Sequence, residues 1–163
     1  MSRPASGLAS SSTLSLWHRL SAVPGGRQLF SAALSLRVPY FGTILPTVRE
    51  MKPGRCVVTA PKWWGVHNHI HTFHAIAACN IAELAMGMLA EATLPPTHRW
   101  LPKSMTVNYL AKAETSLTAV AELPSVPEFG DEGFELPVPV TITDTHDTPV
   151  VTATITIWIT PEK

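Results

Sequence analysis

The sequence predicts an α+β fold in which one long helix is enclosed by an antiparallel sheet. Three observations carry this. Of the eighteen residues 73–90, only His74, Asn80 and Glu83 are polar, and a helix apolar on every side has to be buried. From Lys103 onward the chain is almost wholly strand-like, with Met105, Val107, Tyr109 and Ala111 alternating against Ser104, Thr106, Asn108 and Leu110. Pro, Gly and Asp residues punctuate the strands where hairpins need turns. One flat sheet face cannot satisfy such a helix, so the sheet must wrap it or a second subunit must cover its far side.

Taken in order, residues 1–11 read as a flexible tail and residues 12–163 as one domain. Leu14, Trp17 and Leu20 fall at helical spacing, as do Leu29, Phe30, Ala33 and Leu34 after the break at Pro24-Gly25-Gly26. Residues 43–51 read as a strand, with Pro46 confining that end to an edge or bulge. Lys52-Pro53-Gly54-Arg55 has Pro and Gly where a type II turn wants them, and residues 55–60 form the returning strand. The long helix is placed at residues 72–92 and stopped by Pro95-Pro96. Residues 117–123, 138–143 and 150–159 supply further strands, the last one strongly β-branched. A loop rich in Pro, Gly and acids covers 124–135, and a hairpin turns at Asp147-Thr148-Pro149. There are no internal repeats.

A chain of 163 residues, 45% apolar and 15% charged, fits one domain with a real core. Zero formal charge argues against nucleic acid as the main partner, because phosphate binding needs a basic surplus. The two cysteines, Cys56 and Cys79, are too few for a disulfide framework and point to a reducing, cytoplasmic setting. Both are expected to be unreactive, Cys79 as a small buried residue of the helix. The first 49 residues contain five arginines and no acid, which superficially matches an organellar transit peptide; the helical spacing of their apolar residues favours short folded helices instead. Residues 73–94 are long enough to span a bilayer but hold His74, Asn80, Glu83 and Glu91. A central acid alone disfavours insertion by roughly 2.5–3.5 kcal/mol. No membrane partner is expected.

The chemistry concentrates at the helix entrance, where the chain reads His67-Asn68-His69-Ile70-His71-Thr72-Phe73-His74. Glu83 follows inside the apolar helix, and a buried carboxylate is costly unless something pairs with it or uses it. If the helix is continuous from His74 to Glu83, their nine-residue spacing separates them by roughly 13–14 Å along the axis and puts them on opposite faces. They cannot meet at one reacting carbonyl within one subunit. A reaction using both needs two copies of the chain, with the site across a two-fold interface.

Asn68, His74-Ala75-Ile76 and Glu83 carry a resemblance to hotdog-fold thioesterases of the phenylacetate-pathway type. Those proteins have an Asn, His-Gly-Gly after six residues, and an Asp or Glu nine residues beyond that His. Tyr40-Phe41-Gly42-Thr43, Trp100-Leu101-Pro102-Lys103 and Tyr109-Leu110 are similar to an uncharacterised branch of the same superfamily. The resemblance covers about residues 14–160. It implies a curved antiparallel sheet around one central helix, here with extra N-terminal helices. It also implies hydrolysis of an acyl-thioester such as acyl-CoA by a homodimer or homotetramer, with coenzyme A only as part of the substrate and no metal.

The backbone N–H of Ala75 then receives the developing oxyanion, and Glu83 acts as general base or nucleophile. Asn68 holds water or steers the thioester, His74 orients the carbonyl, and Ile76 and Asn80 line the site. Both family glycines are replaced, by Ala75 and Ile76, whose side chains narrow the approach. Arg99, Lys103 and Lys112 are candidates for the coenzyme A phosphates.

Two other readings compete. A hotdog protein without chemistry would bind an acyl-thioester or another small apolar ligand. A metal-dependent hydrolase would use His67, His69 and His71, which in an extended segment face one way, with His98, Asp144, His146 or Asp147 as distal ligands.

Overall fold

The computed structural model describes residues 11–162, so the tail expected at residues 1–11 lies, except for Ser11, outside the described residues. The elements are α1 (Ser12–Ser21), α2 (Gly26–Arg37), α3 (Pro39–Gly42), β1 (Thr47–Lys52), β2 (Arg55–Ala60), a 3-10 turn at Trp64–Val66, α4 (Ala75–Thr93), β3 (His98–Tyr109), β4 (Leu117–Glu122), β5 (Phe134–Thr143) and β6 (Pro149–Pro161). The strands form one sheet in the order β1-β2-β4-β5-β6-β3, with every neighbouring pair antiparallel. All six strands pack against α4. The helix is wrapped as its composition demands.

The β1–β2 turn forms as expected, with Gly54 at φ 77° in the left-handed region that glycine enters freely. Its Gly54 N–H donates 2.9 Å to Thr93 Oγ1, which itself donates to Leu89 O, tying the hairpin to the end of α4. The first strand starts later than its composition suggests. Thr43 returns both its N–H and its hydroxyl to Tyr40 O, closing a helical turn, and the strand begins only at Thr47. Two strands start earlier than expected. β5 includes Pro137 and Pro139 because β4 pairs only with residues 140–143, so the prolines meet no strand on that side.

The N-terminal helices cover one end of the core. Ser11 caps α1 by accepting from the Leu14 N–H, and its hydroxyl donates 2.6 Å to Glu91 O. Trp17 meets Phe30 edge-to-face at 5.3 Å. The Ser31 hydroxyl accepts from the Val48 N–H at 2.9 Å, so α2 covers part of the β1 edge. Of the apolar positions expected to bury α2, Phe30 is buried and Leu34 half-buried, whereas Leu29 and Ala33 face out.

Candidate active site

The helix entrance is a tight loop. His67 bridges Phe73, and between them Asn68 organises the turn. Its side-chain oxygen accepts from the Ile70 and Thr72 N–H groups at 3.1 and 3.0 Å, and its amide donates 2.7 Å to Thr72 Oγ1. A carboxamide has two N–H donors, so Asn68 keeps one for anything outside the loop. His71 sits at φ 61°, which breaks the extended course that three alternating imidazoles would need. Only the rings of His67 and His71 approach, at 6.2 Å between centroids. Among the described residues no three His, Cys, Asp or Glu side chains cluster as metal ligands do, so the convergence of His67, His69 and His71 that the competing metal-dependent reading would need is not found there.

His74 is the N-cap of α4. Its Nδ1 accepts 3.1 Å from the Ile76 N–H, so the ring fills the usual place of a capping oxygen. That bond takes up one of the donors at the helix start. The Ala75 N–H has no acceptor among the described residues, and Ala75 and Ile76 are exposed. An open backbone donor at the positive end of a nineteen-residue helix is suited to a developing negative charge.

Along α4, thirteen of nineteen residues are buried. The face that stays open is the line Ile76, Cys79, Glu83, spaced three and four residues apart. Cys79 is half-buried rather than buried as expected, with Sγ 3.3 Å from the Tyr109 hydroxyl on β3. That bond, foremost, pushes the Tyr109 pKa up to about 12. Glu83 is half-buried and meets no cation, donor or ring among the described residues.

Glu91 behaves differently. Its carboxylate accepts from Thr13 Oγ1 at 3.0 Å and from Trp100 Nε1 at 3.1 Å. Asn80, only 3% exposed, donates to Tyr40 O and Thr43 Oγ1 at 3.1 and 3.3 Å, while its own side-chain oxygen has no partner. It anchors the α3 turn to α4 one turn before Glu83. The other cysteine, Cys56, is fully buried, and burial pushes its thiol pKa up.

The three candidate cations do not converge within one protomer. Lys103 pairs with Glu135 and lies 5.7 Å over the Trp158 ring. Arg99 and Lys112 flank opposite ends of β3, on the order of 30 Å apart at strand rise. Lys112 is the one beside the helix entrance, because its neighbour Ala113 accepts from the Phe73 N–H at 2.8 Å. The residues that sequence reasoning missed are Tyr109, as the partner of Cys79, and Trp100, as the partner of Glu91. For the first there was a signal: Cys79 stands four residues before Glu83 and so shares its side of the helix.

The family model for the domain of unknown function DUF4442 matches residues 26–159. Among solved structures, a structural-genomics target is 39% identical with a TM-score of 0.79, the match covering 92% of this chain and 98% of that one. A protein of unknown function from Pseudomonas aeruginosa is 18% identical with a TM-score of 0.74, over 86% of this chain and 97% of the other. A thioesterase family protein from Silicibacter pomeroyi is 18% identical with a TM-score of 0.67, over 81% and 96%. No curated protein matches significantly. The architecture is therefore the hotdog fold of thioesterase-family proteins, as the resemblance in the sequence implied.

Proposed function

This chain belongs to the DUF4442 family, and from that membership, the hotdog fold and the open face of α4 we propose that it hydrolyses acyl-thioesters, acyl-CoA among them, at a site shared by two copies. The observation that carries the reading is the isolation of Glu83, a carboxylate without a partner among the described residues, on the open line of an otherwise enclosed helix. The open Ala75 N–H lies eight residues earlier on that helix, about 12 Å along the axis. One thioester carbonyl reaches both only if a second copy brings its own Glu83 to it. The β3 edge supports such pairing: it carries no further strand, and its second half, residues 104–109, holds no charge.

In this reading the thioester oxygen lies against the Ala75 N–H of one subunit. Glu83 of the partner subunit takes a proton from water as the water oxygen attacks the carbonyl carbon. The carbon–sulfur bond breaks, the acid leaves, and the proton passes to the coenzyme A thiolate. His74 acts through its Nδ1 bond, which holds the first turn of the helix, and Asn68 holds the loop in front with one N–H to spare. Asn80 positions the α3 turn. In the same reading Lys112, whose neighbour Ala113 bonds the helix entrance, would meet a coenzyme A phosphate. The reading calls for no cofactor, and the protein would act in the cytoplasm.

The test is release of free thiol from a panel of aryl- and fatty-acyl-CoA substrates. Wild type turns over at least one class, and Glu83→Ala loses at least about 10²-fold in kcat. Equal rates for the two proteins would end the hydrolase reading and leave a non-catalytic acyl-thioester binder.

A further inference from the structure

The chain is formally neutral, but its charge is divided. The first 49 residues hold five arginines and no acid, leaving seven cations against twelve acids in the rest. Of these arginines, Arg19, Arg27 and Arg37 are exposed and form no ion pair among the described residues. Elsewhere Lys52, Arg55 and Lys103 are all paired with glutamates. Lys62, Arg99 and Lys112 form no ion pair among the described residues either, but they share the rest of the chain with all twelve acids, whereas the N-terminal helices carry cations and no acid.

The same helices present an apolar surface. The inner side of α2 is satisfied by Phe30, Ser31 and Leu34. At about 100° per residue, Leu29, Ala32, Ala33 and Leu36 share an arc of about 100° on the opposite side. All four are exposed, Leu29 at 59% and Leu36 at 83%. A groove of about 570 Å³ lies alongside, lined by Ala32, Leu36, Pro39, Gly42, Leu45 and Pro46 among others. Leu45 is half-exposed at φ 47°, a left-handed backbone that is costly for a non-glycine residue. Tyr40 and Val38 are exposed beside it. Helix α2 is thus apolar on two sides and enclosed on only one.

We propose that this face docks the protein on the surface of an anionic phospholipid bilayer. Outward leucines enter the headgroup–acyl boundary, Arg37 at the border of the leucine arc meets a lipid phosphate, and Tyr40 suits the interfacial layer. The acid-rich remainder of the chain is repelled by the same surface, which fixes the orientation. An acidic protein would match the charge, but protruding Leu29 and Leu36 with no acid or cation between them fit lipid better. The helix lies on the membrane and does not span it. The expectation of no membrane partner rested on α4, which is enclosed by the sheet; the N-terminal helices revise it. The proposal does not depend on the hydrolase reading.

The test is sedimentation of the full chain with vesicles of phosphatidylcholine alone and of equal parts phosphatidylcholine and phosphatidylglycerol. Binding is expected only to the mixed vesicles and weakens with added salt. Leu36→Gln lowers the partition coefficient about ten-fold and Arg37→Gln about five-fold, whereas Arg27→Gln, on the inner side of the helix, lowers it less than Arg37→Gln does. The melting temperature stays unchanged in all three, since none of these side chains is buried. Failure of the wild type to sediment with mixed vesicles overturns the proposal, as does binding indifferent to Leu36→Gln. So does a fall in solution mass on Leu36→Gln without vesicle binding by the wild type, which assigns the face to a second copy.

Discussion

Glu83 and Glu91 stand eight residues apart on α4, and their surroundings differ in kind. Around Glu91 the helix is closed: Thr13 and Trp100 hold the carboxylate, and Ser11 holds the backbone oxygen. Gly87, one turn earlier, leaves just the room the Trp100 ring needs, since a Cβ there would lie 3.3 Å from it. Around Glu83 the helix is open along Ile76 and Cys79, and the acid has no partner among the described residues. Both acids are half-buried in one apolar helix, and burial of a carboxylate is costly unless it is paired. One is repaid by hydrogen bonds inside the protomer, and the other has to be repaid from outside it.

The sharpest way to break that contrast is at the open end. Ala75→Pro removes the proposed oxyanion donor and nothing else. Proline is welcome at the first helical position, and His74 at ψ 135° already has the backbone a following proline requires. The expected result is a loss of about 10²–10³ in kcat with an unchanged melting temperature, read by thiol release and calorimetry. Activity surviving this substitution would remove the Ala75 N–H from the mechanism.

Next in size is separation of the two copies. Thr106→Lys puts a charge on the exposed face of the bare half of β3 and is expected to weaken dimerisation on the order of 10²-fold. Activity should follow the dimer fraction in analytical ultracentrifugation. A monomer with full activity would sink the shared site.

At the closed end the prediction reverses. Glu91→Ala leaves Trp100 Nε1 and Thr13 without their acceptor and is expected to cost about 2 kcal/mol of stability in urea unfolding. Turnover per folded molecule stays near wild type, the opposite of Glu83→Ala.

The smallest effect lies away from the helix. Asp144 accepts from the Thr148 and His146 N–H groups, which hold its pKa below the ordinary carboxylate value. A depressed acid contributes above its unfolded pKa and loses that contribution as pH falls through its folded one. Amide protection factors in the β5–β6 turn, corrected for the intrinsic exchange rate at each pH, should therefore fall on acidification before those of the rest of the sheet.

How much of this was legible in the sequence follows from the range of each interaction. The enclosed helix, the Gly54 turn and the last strand show in residue periodicity and local turn chemistry, and all three form where those signals lie. The early starts of β3 and β5 do not show, because Pro102 and Pro137 read as strand breakers until the unpaired sides of those strands are known. The spacing of Asn68, His74 and Glu83 marked the site region, but not how its groups are spent. That Asn68 closes its own loop, that His74 caps the helix and that Cys79 reaches Tyr109 depend on contacts made only in three dimensions. The distinction between Glu83 and Glu91 was equally hidden. Thr13 is seventy-eight residues from the acid it pairs with.

The strand order also sets a sequence of events for a chain emerging from the ribosome. β3 follows α4 directly, yet its one neighbour in the sheet is β6, the last strand. Until β6 has been synthesised, β3 has nothing to join and the apolar helix lacks part of its wall. Closure of the sheet is thus a late, long-range step of high contact order. The nascent protein must carry an open seam through most of its synthesis, the period in which a chaperone has the most to protect.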